Sequence, residues 1–307
     1  MLSILLKRLA LLPVMIFIVA TIGFILVKAA PGSAFTDDKA VPPEVLEKAK
    51  AYYGLDQPIY VQYGRYITNL AQGDLGPCLK LKAYTVNEII AESAPISLEL
   101  GAYSIIIALL IGIPLGVIAA MNHNKWQDYS SMMIAMTGIC LPAFVLGPAL
   151  LFIFSIHLGW FNPLGWDDPS DRVLPSLSIG LYIAASIARL TRTGMLDILN
   201  QDFIRTARAK GLSTWTIIYK HTLRGALLPV VNYLGPALAS VLAGSFVVET
   251  IFGIPGIGRH FVNAAFNRDE FLVLGSVIFF SFLLILMNLA VDIVQLMMDP
   301  RARKSES

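Results

Sequence analysis

Six stretches of the chain are free of charged residues and long enough to cross a lipid bilayer. They cover residues 9–27, 100–121, 129–156, 173–188, 225–248 and 271–291. A hydrocarbon core about 30 Å thick needs roughly 20 consecutive apolar residues in one helix. The fourth stretch is short because Arg172 and Arg189 bound it, but long arginine stems can reach the interface and extend such a helix. The pattern predicts an all-α, polytopic membrane protein with six transmembrane helices.

Composition agrees with this pattern. Of the 307 residues, 56% are hydrophobic and 14% are charged, whereas soluble domains carry about a quarter charged residues. Lys7 and Arg8 precede the first stretch as in a secretory signal, but the stretch is too long and lacks a small-residue cleavage pattern. We therefore expect it to be an uncleaved first span.

The distribution of lysine and arginine predicts the orientation of the chain. If the amino terminus is cytoplasmic, the inner segments carry 13 of these residues and the short outer loops carry three. Positive charge accumulates on the cytoplasmic side of membrane proteins. Both termini are therefore expected in the cytoplasm.

The six spans divide the chain into segments. Residues 1–30 form the cytoplasmic amino terminus and first span, 31–94 a periplasmic segment, 95–298 the transmembrane core of five helices, and 299–307 a cytoplasmic tail. Proline and glycine signals in the periplasmic segment predict one helix over 44–53 and a second from Pro58 toward Gly73. The core contains a cytoplasmic loop, 189–224, with seven basic residues and two aspartates.

This basic loop contains a short run of good helix formers, residues 202–212, in which Gly211 is suited to a left-handed cap. Pro229 follows at the start of the fifth span, where we expect it to bend the helix. Trp215 and Tyr219 lie four residues apart and fit either a protein contact or interfacial anchoring. On charge alone, the loop fits a simple topology signal as well as it fits a partner site.

The run resembles the coupling helix of the inner-membrane permeases of ATP-binding-cassette importers, with Thr206, Ala207 and Gly211 in the signature positions. The distance from Gly211 to Pro229 is wider than in the general signature and is similar to that of the peptide-permease branch. Further resemblance covers nearly the whole chain, most closely to B-type subunits of oligopeptide importers from bacteria with two membranes. It lies at residues 30–33, 53–58, 73–76, 249–258 and 299–301. Cys78 stands where many relatives carry serine.

The resemblance implies an assembly: a homologous second permease, two cytoplasmic ATPases, a periplasmic peptide-binding protein, a peptide substrate and surrounding membrane lipid. ATP and Mg would bind to the ATPases, with no cofactor on this chain and no nucleic-acid partner. The residues implied in ATPase coupling are Arg205, Thr206, Ala207, Arg208, Ala209, Lys210, Gly211 and Leu212.

Polar and small residues within the spans are further candidates. Asn232 and Glu249 are possible pathway or gate residues, because uncompensated polar groups are costly in the bilayer; a packing or structural hydrogen-bonding role is the alternative for each. Gly112 with Gly116, and Gly235 with Ala239 and Ala243, predict close helix contacts. Pro114, Pro142, Pro148 and Pro236 predict kinks that fit ordinary packing or gate hinges.

Other classes of function have less support. The four histidines are scattered along the chain, so we expect no metal site. An intramembrane hydrolase would need a buried nucleophile paired with a base, and the spans show no such pair. An ion-coupled secondary transporter would normally carry ionisable groups at the bilayer midplane, which these spans lack. For the cargo, dipeptides, glutathione or nickel chelates are alternatives to oligopeptides.

Overall fold

The computed structural model describes residues 2–30, 47–48, 51–81 and 83–298, and these residues are mostly helical, as the sequence predicts. The main helices, numbered in chain order, are α1 (Leu2–Ala29), α2 (Ile59–Ala71), α3 (Val86–Met121), α4 (Trp126–Cys140), α5 (Ala143–Leu150), α6 (Val173–Leu199), α7 (Asp202–Ala209), α8 (Leu228–Ile251), α9 (Ile257–Asn267) and α10 (Glu270–Met298). A π-helix, Leu151–His157, extends α5, and a short 3-10 turn, Pro169–Arg172, precedes α6. Between α7 and α8, residues 214–226 form an irregular helical connection that includes the π-helix Ile217–Thr222. Pairing of β type within the described residues is confined to one isolated antiparallel bridge, Pro77 with Thr85.

The chain folds as two compact units. The larger consists mainly of Ser97–Ile254, together with the chain from Leu286. At its centre lies α6, which contacts α4, α5, α8 and the 214–226 connection. Ile183, Ile187 and Met195 of α6 are fully buried, so this helix is the core of the unit.

The smaller unit consists of Leu2–Ile96 and Pro255–Ile285. One apolar cluster joins α1, α2 and α10 through Phe24, Tyr66 and Leu274. A second joins the beginning of α3 to α9 and α10 through Val86 and Ile257, among others. These clusters pack α2 and the chain before α3 against α1, α9 and α10 of the same unit.

Most of the predicted spans are confirmed. Four helical stretches are long and apolar enough to cross a membrane: Ala10–Ala29, Val86–Met121, Pro169–Leu199 and Glu270–Val294. The bent pair Trp126–Gly138 with Ala143–His157, formed by α4 and α5, adds a fifth if it is one broken span. The predicted span 225–248 falls on α8, whose 24 residues would extend about 36 Å. Its uninterrupted apolar part among described residues is Leu228–Leu238, so a crossing by α8 stays a prediction.

Two prolines act differently from one another. Pro142 separates α4 from α5, and the two helices are bent by 95° there because proline cannot donate to the helical ladder. Pro229 lies in the first turn of α8, and Leu227 interrupts the helical run just before it, where the bend of the fifth span was predicted.

Two helices were predicted within residues 31–94, the predicted periplasmic segment, and the structure describes them to different extents. The second is confirmed as α2, which begins directly after Pro58. The predicted helix over 44–53 lies largely outside the described residues, although 47–48 and 51–53 are helical. Motifs at 31–33 and 299–301 also lie outside the described residues.

Candidate functional site

The short helix predicted in the basic loop exists as α7, and two residues separate it from the end of α6. The turn between them is closed by the Gln201 N–H, which donates to the Ile198 carbonyl at 3.0 Å. Asp202 then occupies the first turn of α7, where a carboxylate is favoured by the helix dipole. A displacement of α7 therefore acts on α6 through a very short connection.

Two residues anchor α7 to the rest of the larger unit. Ile204 is 0% exposed and Ala207 is 7% exposed, and both pack in a cluster with Ile217. They lie three positions apart, so they share one face of the helix. Ala207, one of the signature residues, is therefore an anchor within this chain.

The other predicted coupling residues remain exposed. These are Arg205, Thr206, Arg208, Ala209, Lys210, Gly211 and Leu212. Arg205 approaches Asp202 at 3.6 Å, but both side chains are mostly in solvent and such pairs contribute little. The outer face of α7 and its C-terminal turn thus expose three cations and an adjoining leucine.

Gly211 ends α7 by a left-handed turn with φ +76°. Its N–H donates to the Arg208 carbonyl at 2.9 Å, and the Leu212 N–H donates to the Ala207 carbonyl at 3.3 Å. A Cβ at Gly211 would meet nothing within 4 Å, so the demand for glycine is conformational and not steric.

Trp215 and Tyr219 form a stacked pair beside α7. Their ring centroids lie 5.7 Å apart with an angle of 19° between the planes. Both side chains are about two-thirds exposed, at 67% and 65%. They are available for the contact or the interfacial anchoring expected from their spacing.

Glycines of α3 pack closely against α6. The spacing of the small residues Gly112 and Gly116 predicted such a close helix contact. A Cβ on Gly112 would lie 2.6 Å from the Ala184 carbonyl oxygen, and one on Gly116 would lie 2.5 Å from that of Ala188. Gly194 of α6 packs in the same way on the Ala226 backbone. Backbones this close transmit movement with little slack.

The Gly235 series on α8 is described in part. Gly235 packs on the amide of Asn288, where a Cβ would lie 2.6 Å from Oδ1. The side chains of Ala239 and Ala243 lie outside those that the structure describes.

An ion-pair cluster that sequence analysis did not identify binds α4 to the end of α6. The Arg192 guanidinium donates to both carboxylate oxygens of Asp128, at 2.6 and 2.7 Å. His123 lies at the edge of this pair, 3.3 Å from Asp128. The Asp128 side chain is 2% exposed, so the pair closes a buried joint. The helix α6 itself continues past residue 188, the predicted end of the span, to Leu199.

The two polar candidates of α8 lie at opposite ends of the helix. Asn232 is exposed, whereas Glu249 is 0% exposed and accepts a 2.8 Å hydrogen bond from the Ser97 hydroxyl. Seventeen positions at 1.5 Å each separate them by about 25 Å. The structure does not bring them into one site.

A second cluster, also missed, holds the segment before α6. Arg172 donates to Glu99 at 2.7 Å, and the Trp166 indole donates to the same carboxylate at 3.2 Å. The guanidinium carbon also lies 5.0 Å from the Trp166 ring centroid. Arg172 therefore pairs with Glu99 of α3, a contact that the spacing of neighbouring residues in the sequence does not predict.

In the smaller unit, Asp269 clamps the chain at Cys78. One oxygen of Asp269 accepts the Cys78 thiol at 2.9 Å and the Leu79 N–H at 2.8 Å. Burial, followed by this hydrogen bond to a carboxylate, raises the pKa of the Cys78 thiol to about 11. The thiol is thus a protonated structural donor at neutral pH, a role that a serine hydroxyl would also fill.

Metal ligands do not gather in the described part of the chain: no three histidine, cysteine, aspartate or glutamate side chains there could hold an ion together.

Comparison with known proteins identifies two matching families along the chain. Residues 112–304 match the family described as binding-protein-dependent transport system inner membrane component. Residues 1–100 match the corresponding amino-terminal family of membrane components of binding-protein-dependent transport systems.

Individual relatives extend over almost the full length. The oligopeptide transport system permease protein OppB of Salmonella typhimurium is 46% identical over 290 residues, which are 94% of this chain and 95% of the relative. The dipeptide transport system permease protein DppB of Bacillus subtilis is 41% identical over 297 residues, 97% and 96% of the two chains. An inward-facing structure of the MetNI methionine ABC transporter matches with a TM-score of 0.57 at 19% identity, over 69% of this chain and 96% of that one, which shows a shared fold.

Proposed function

Since the chain belongs to the family of binding-protein-dependent transport system inner membrane components, we propose that it is the permease subunit of an oligopeptide importer driven by ATP-binding-cassette ATPases. Its partners are a homologous second permease, two cytoplasmic ATPases, which bind ATP and Mg, and a periplasmic peptide-binding protein. The chain itself is non-catalytic. It crosses the bacterial inner membrane several times, with both termini in the cytoplasm because the inner segments carry most of the lysine and arginine.

The geometry of α7 carries this proposal. Ile204 and Ala207 bind it to the larger unit, while its cationic face stays exposed. Closure of the ATPases would displace α7, and the two-residue connection would pass that displacement to α6. Because Gly112 and Gly116 hold α3 against α6, those helices move together between two access states.

Asn232 and Glu249 are the proposed pathway or gate residues on α8. The exposed amide of Asn232 is available to a cargo or to the second permease, and the buried Glu249 ties the far end of α8 to α3 through Ser97.

The cargo follows from the relatives, and two kinds of relative point to two sizes of peptide. Oligopeptides are favoured because the relative named for oligopeptide transport has the higher identity, and dipeptides are the second candidate because a dipeptide permease covers as much of the chain. Competition between labelled oligopeptide and unlabelled dipeptide in the same uptake assay decides between them.

The test of coupling replaces Gly211 by valine in the assembled transporter, reconstituted in proteoliposomes with ATP and binding protein. A β-branched residue at φ +76° costs roughly 1–2 kcal/mol, which distorts the end of α7. We expect peptide uptake to fall at least tenfold while membrane insertion and assembly stay normal.

Gly159→Val is the matched control, because Gly159 also has positive φ, at +64°, and a Cβ there meets nothing within 4 Å. It lies outside α7, so its uptake should stay within about twofold of wild type. Equal uptake by the Gly211 variant and wild type, with all subunits present, would refute coupling through α7. Uptake without any ATPase would refute the importer itself.

A further inference from the structure

The smaller unit contains an apolar groove beside the adjoining ends of α1 and α10. Its volume is about 500 Å³, within the range of sites that bind small ligands. The walls include Leu26 and Val27 of α1, Phe266 of α9 and Val273 of α10, and the charged residues Arg268 and Glu270 complete it. Phe266 is 80% exposed, an unusual exposure for a phenylalanine in contact with water alone.

The charges at this groove are unequal. Glu270 is already engaged by the Lys28 ammonium, so its carboxylate is not free to bind a second cation. Arg268 is exposed and forms no ion pair within the described ranges of the chain. Two cations and one carboxylate leave a net charge of +1, which complements a single phosphate.

The backbone holds Arg268 in a fixed position. It adopts a left-handed conformation with φ +55°, uncommon for a residue other than glycine, between the end of α9 and the start of α10. The next N–H, of Asp269, donates to the Ala264 carbonyl at 2.9 Å. The Asp269 carboxylate in turn accepts the Leu272 N–H at 3.2 Å. The backbone from which the Arg268 side chain extends is thus held in place without any ligand.

The surroundings of the groove match a lipid. Ala10–Ala29 and Glu270–Val294 are both membrane spans by length and composition, so the groove lies at the depth of the headgroups. Just below it, Ile22 and Ile25 of α1 are more than half exposed and provide an apolar path into the hydrocarbon. Aromatic side chains such as that of Phe266 are often placed at this interface.

We propose that this groove is a binding site for an anionic phospholipid, whose phosphate contacts Arg268 and whose acyl chain lies along Leu26, Phe266 and Val273. A zwitterionic lipid fits less well, because its ammonium would need a free carboxylate and Glu270 is already paired with Lys28. The groove is separate from α7, and the binding of lipid to it does not depend on which cargo the transporter carries.

Native mass spectrometry of the full-length chain in detergent, with any subunits that co-purify, tests this site. The probes are phosphatidylglycerol and phosphatidylethanolamine with identical acyl chains. Phosphatidylglycerol carries a net negative charge, whereas the ammonium of phosphatidylethanolamine offsets its phosphate. One cation near an anionic headgroup contributes about 1 kcal/mol, so wild type should bind the first phosphatidylglycerol about fivefold more tightly than phosphatidylethanolamine. Arg268→Asn, which tolerates the left-handed backbone, should abolish that preference, and Arg268→Lys should keep most of it.

Two further variants make the outcome decisive. Arg65→Gln removes another exposed arginine of the same unit outside the groove and should keep the wild-type preference. Ala265→Trp fills the groove from an exposed position and should weaken both lipids at least fivefold. Equal binding of the two lipids by wild type, persistence of the preference in Arg268→Asn, or its loss in Arg65→Gln would each overturn the proposal. If Ala265→Trp bound both lipids as tightly as wild type, the lipids would lie outside the groove because another segment or subunit covers it, and the proposal would be overturned too.

Discussion

Two buried carboxylates, those of Asp128 and Asp269, obtain partners from distant parts of the chain. Asp128 is paired with Arg192, 64 positions away, and Asp269 accepts the thiol of Cys78 from 191 positions away. A buried carboxylate without such partners would be strongly destabilising. These pairs could not be predicted from the sequence, because helical spacing indicates neighbours only three or four positions apart.

Cys78 gives a prediction about alkaline pH. Its pKa rises from 9.0 in an unfolded chain to about 11 in the fold, because burial and the Asp269 hydrogen bond favour the protonated thiol. The stability that it contributes is complete below pH 9 and is lost as pH rises through 11. At pH 10.5 the loss should be about 2 kcal/mol.

Apparent Tm measured in detergent at pH 7 and pH 10.5 checks this. Cys78→Ser keeps a donor to Asp269 but does not ionise in this range, so its Tm should fall less than that of wild type. Equal decreases in the two proteins would show that the Cys78 thiol does not titrate as proposed.

At the scale of elements, α6 determines the arrangement of the larger unit. Glycines of α3 allow the backbone of α6 to approach closely, and α7 follows its end. A side chain added at such a contact must push the helices apart, because no cavity is available to receive it.

Gly116→Ala is expected to destabilise the protein by about 1–3 kcal/mol, since its Cβ would lie 2.5 Å from the Ala188 carbonyl oxygen. Gly64→Ala in α2 is the matched helical control, because a Cβ there meets nothing within 4 Å. That change should be neutral or stabilising by up to about 1 kcal/mol. Thermal unfolding of both variants in one detergent makes the comparison, and equal Tm values would contradict tight packing of α3 on α6.

The sequence predicts elements better than it predicts their joints. Charge-free stretches located four unbroken spans and the bent pair of α4 and α5, and the run ending at Gly211 located α7 with its left-handed cap. Apolar length alone treated 129–156 as one helix, although Pro142 divides it into α4 and α5. The inward face of Ala207 was also missed, because it depends on packing against Ile217 from a later segment.

At the scale of the whole molecule, orientation in the membrane is the property on which transport depends. The positive-inside bias predicts that α7 is cytoplasmic and that α9 is periplasmic. Lys210 and Asn267 are exposed residues at the ends of these two helices, so cysteines placed there report on each side.

In a Cys140→Ser background, a membrane-impermeant maleimide should label Asn267→Cys in intact spheroplasts but should label Lys210→Cys only after lysis. Cys78 should stay unlabelled in both cases, since it is 1% exposed and burial raises its pKa. Labelling of Lys210→Cys before lysis would place the coupling helix on the wrong side of the membrane.

The joint between Arg192 and Asp128 constrains the movement that we propose for α6. It fastens the start of α4 to the end of α6, so a tilt of α6 must carry α4 sideways with it. The cross-sectional area of protein that moves in the plane of the bilayer is then that of two helices, α4 and α6. We expect the energetic barrier of each transport stroke to rise with lateral pressure accordingly, which makes the turnover of this importer sensitive to how tightly its membrane is packed.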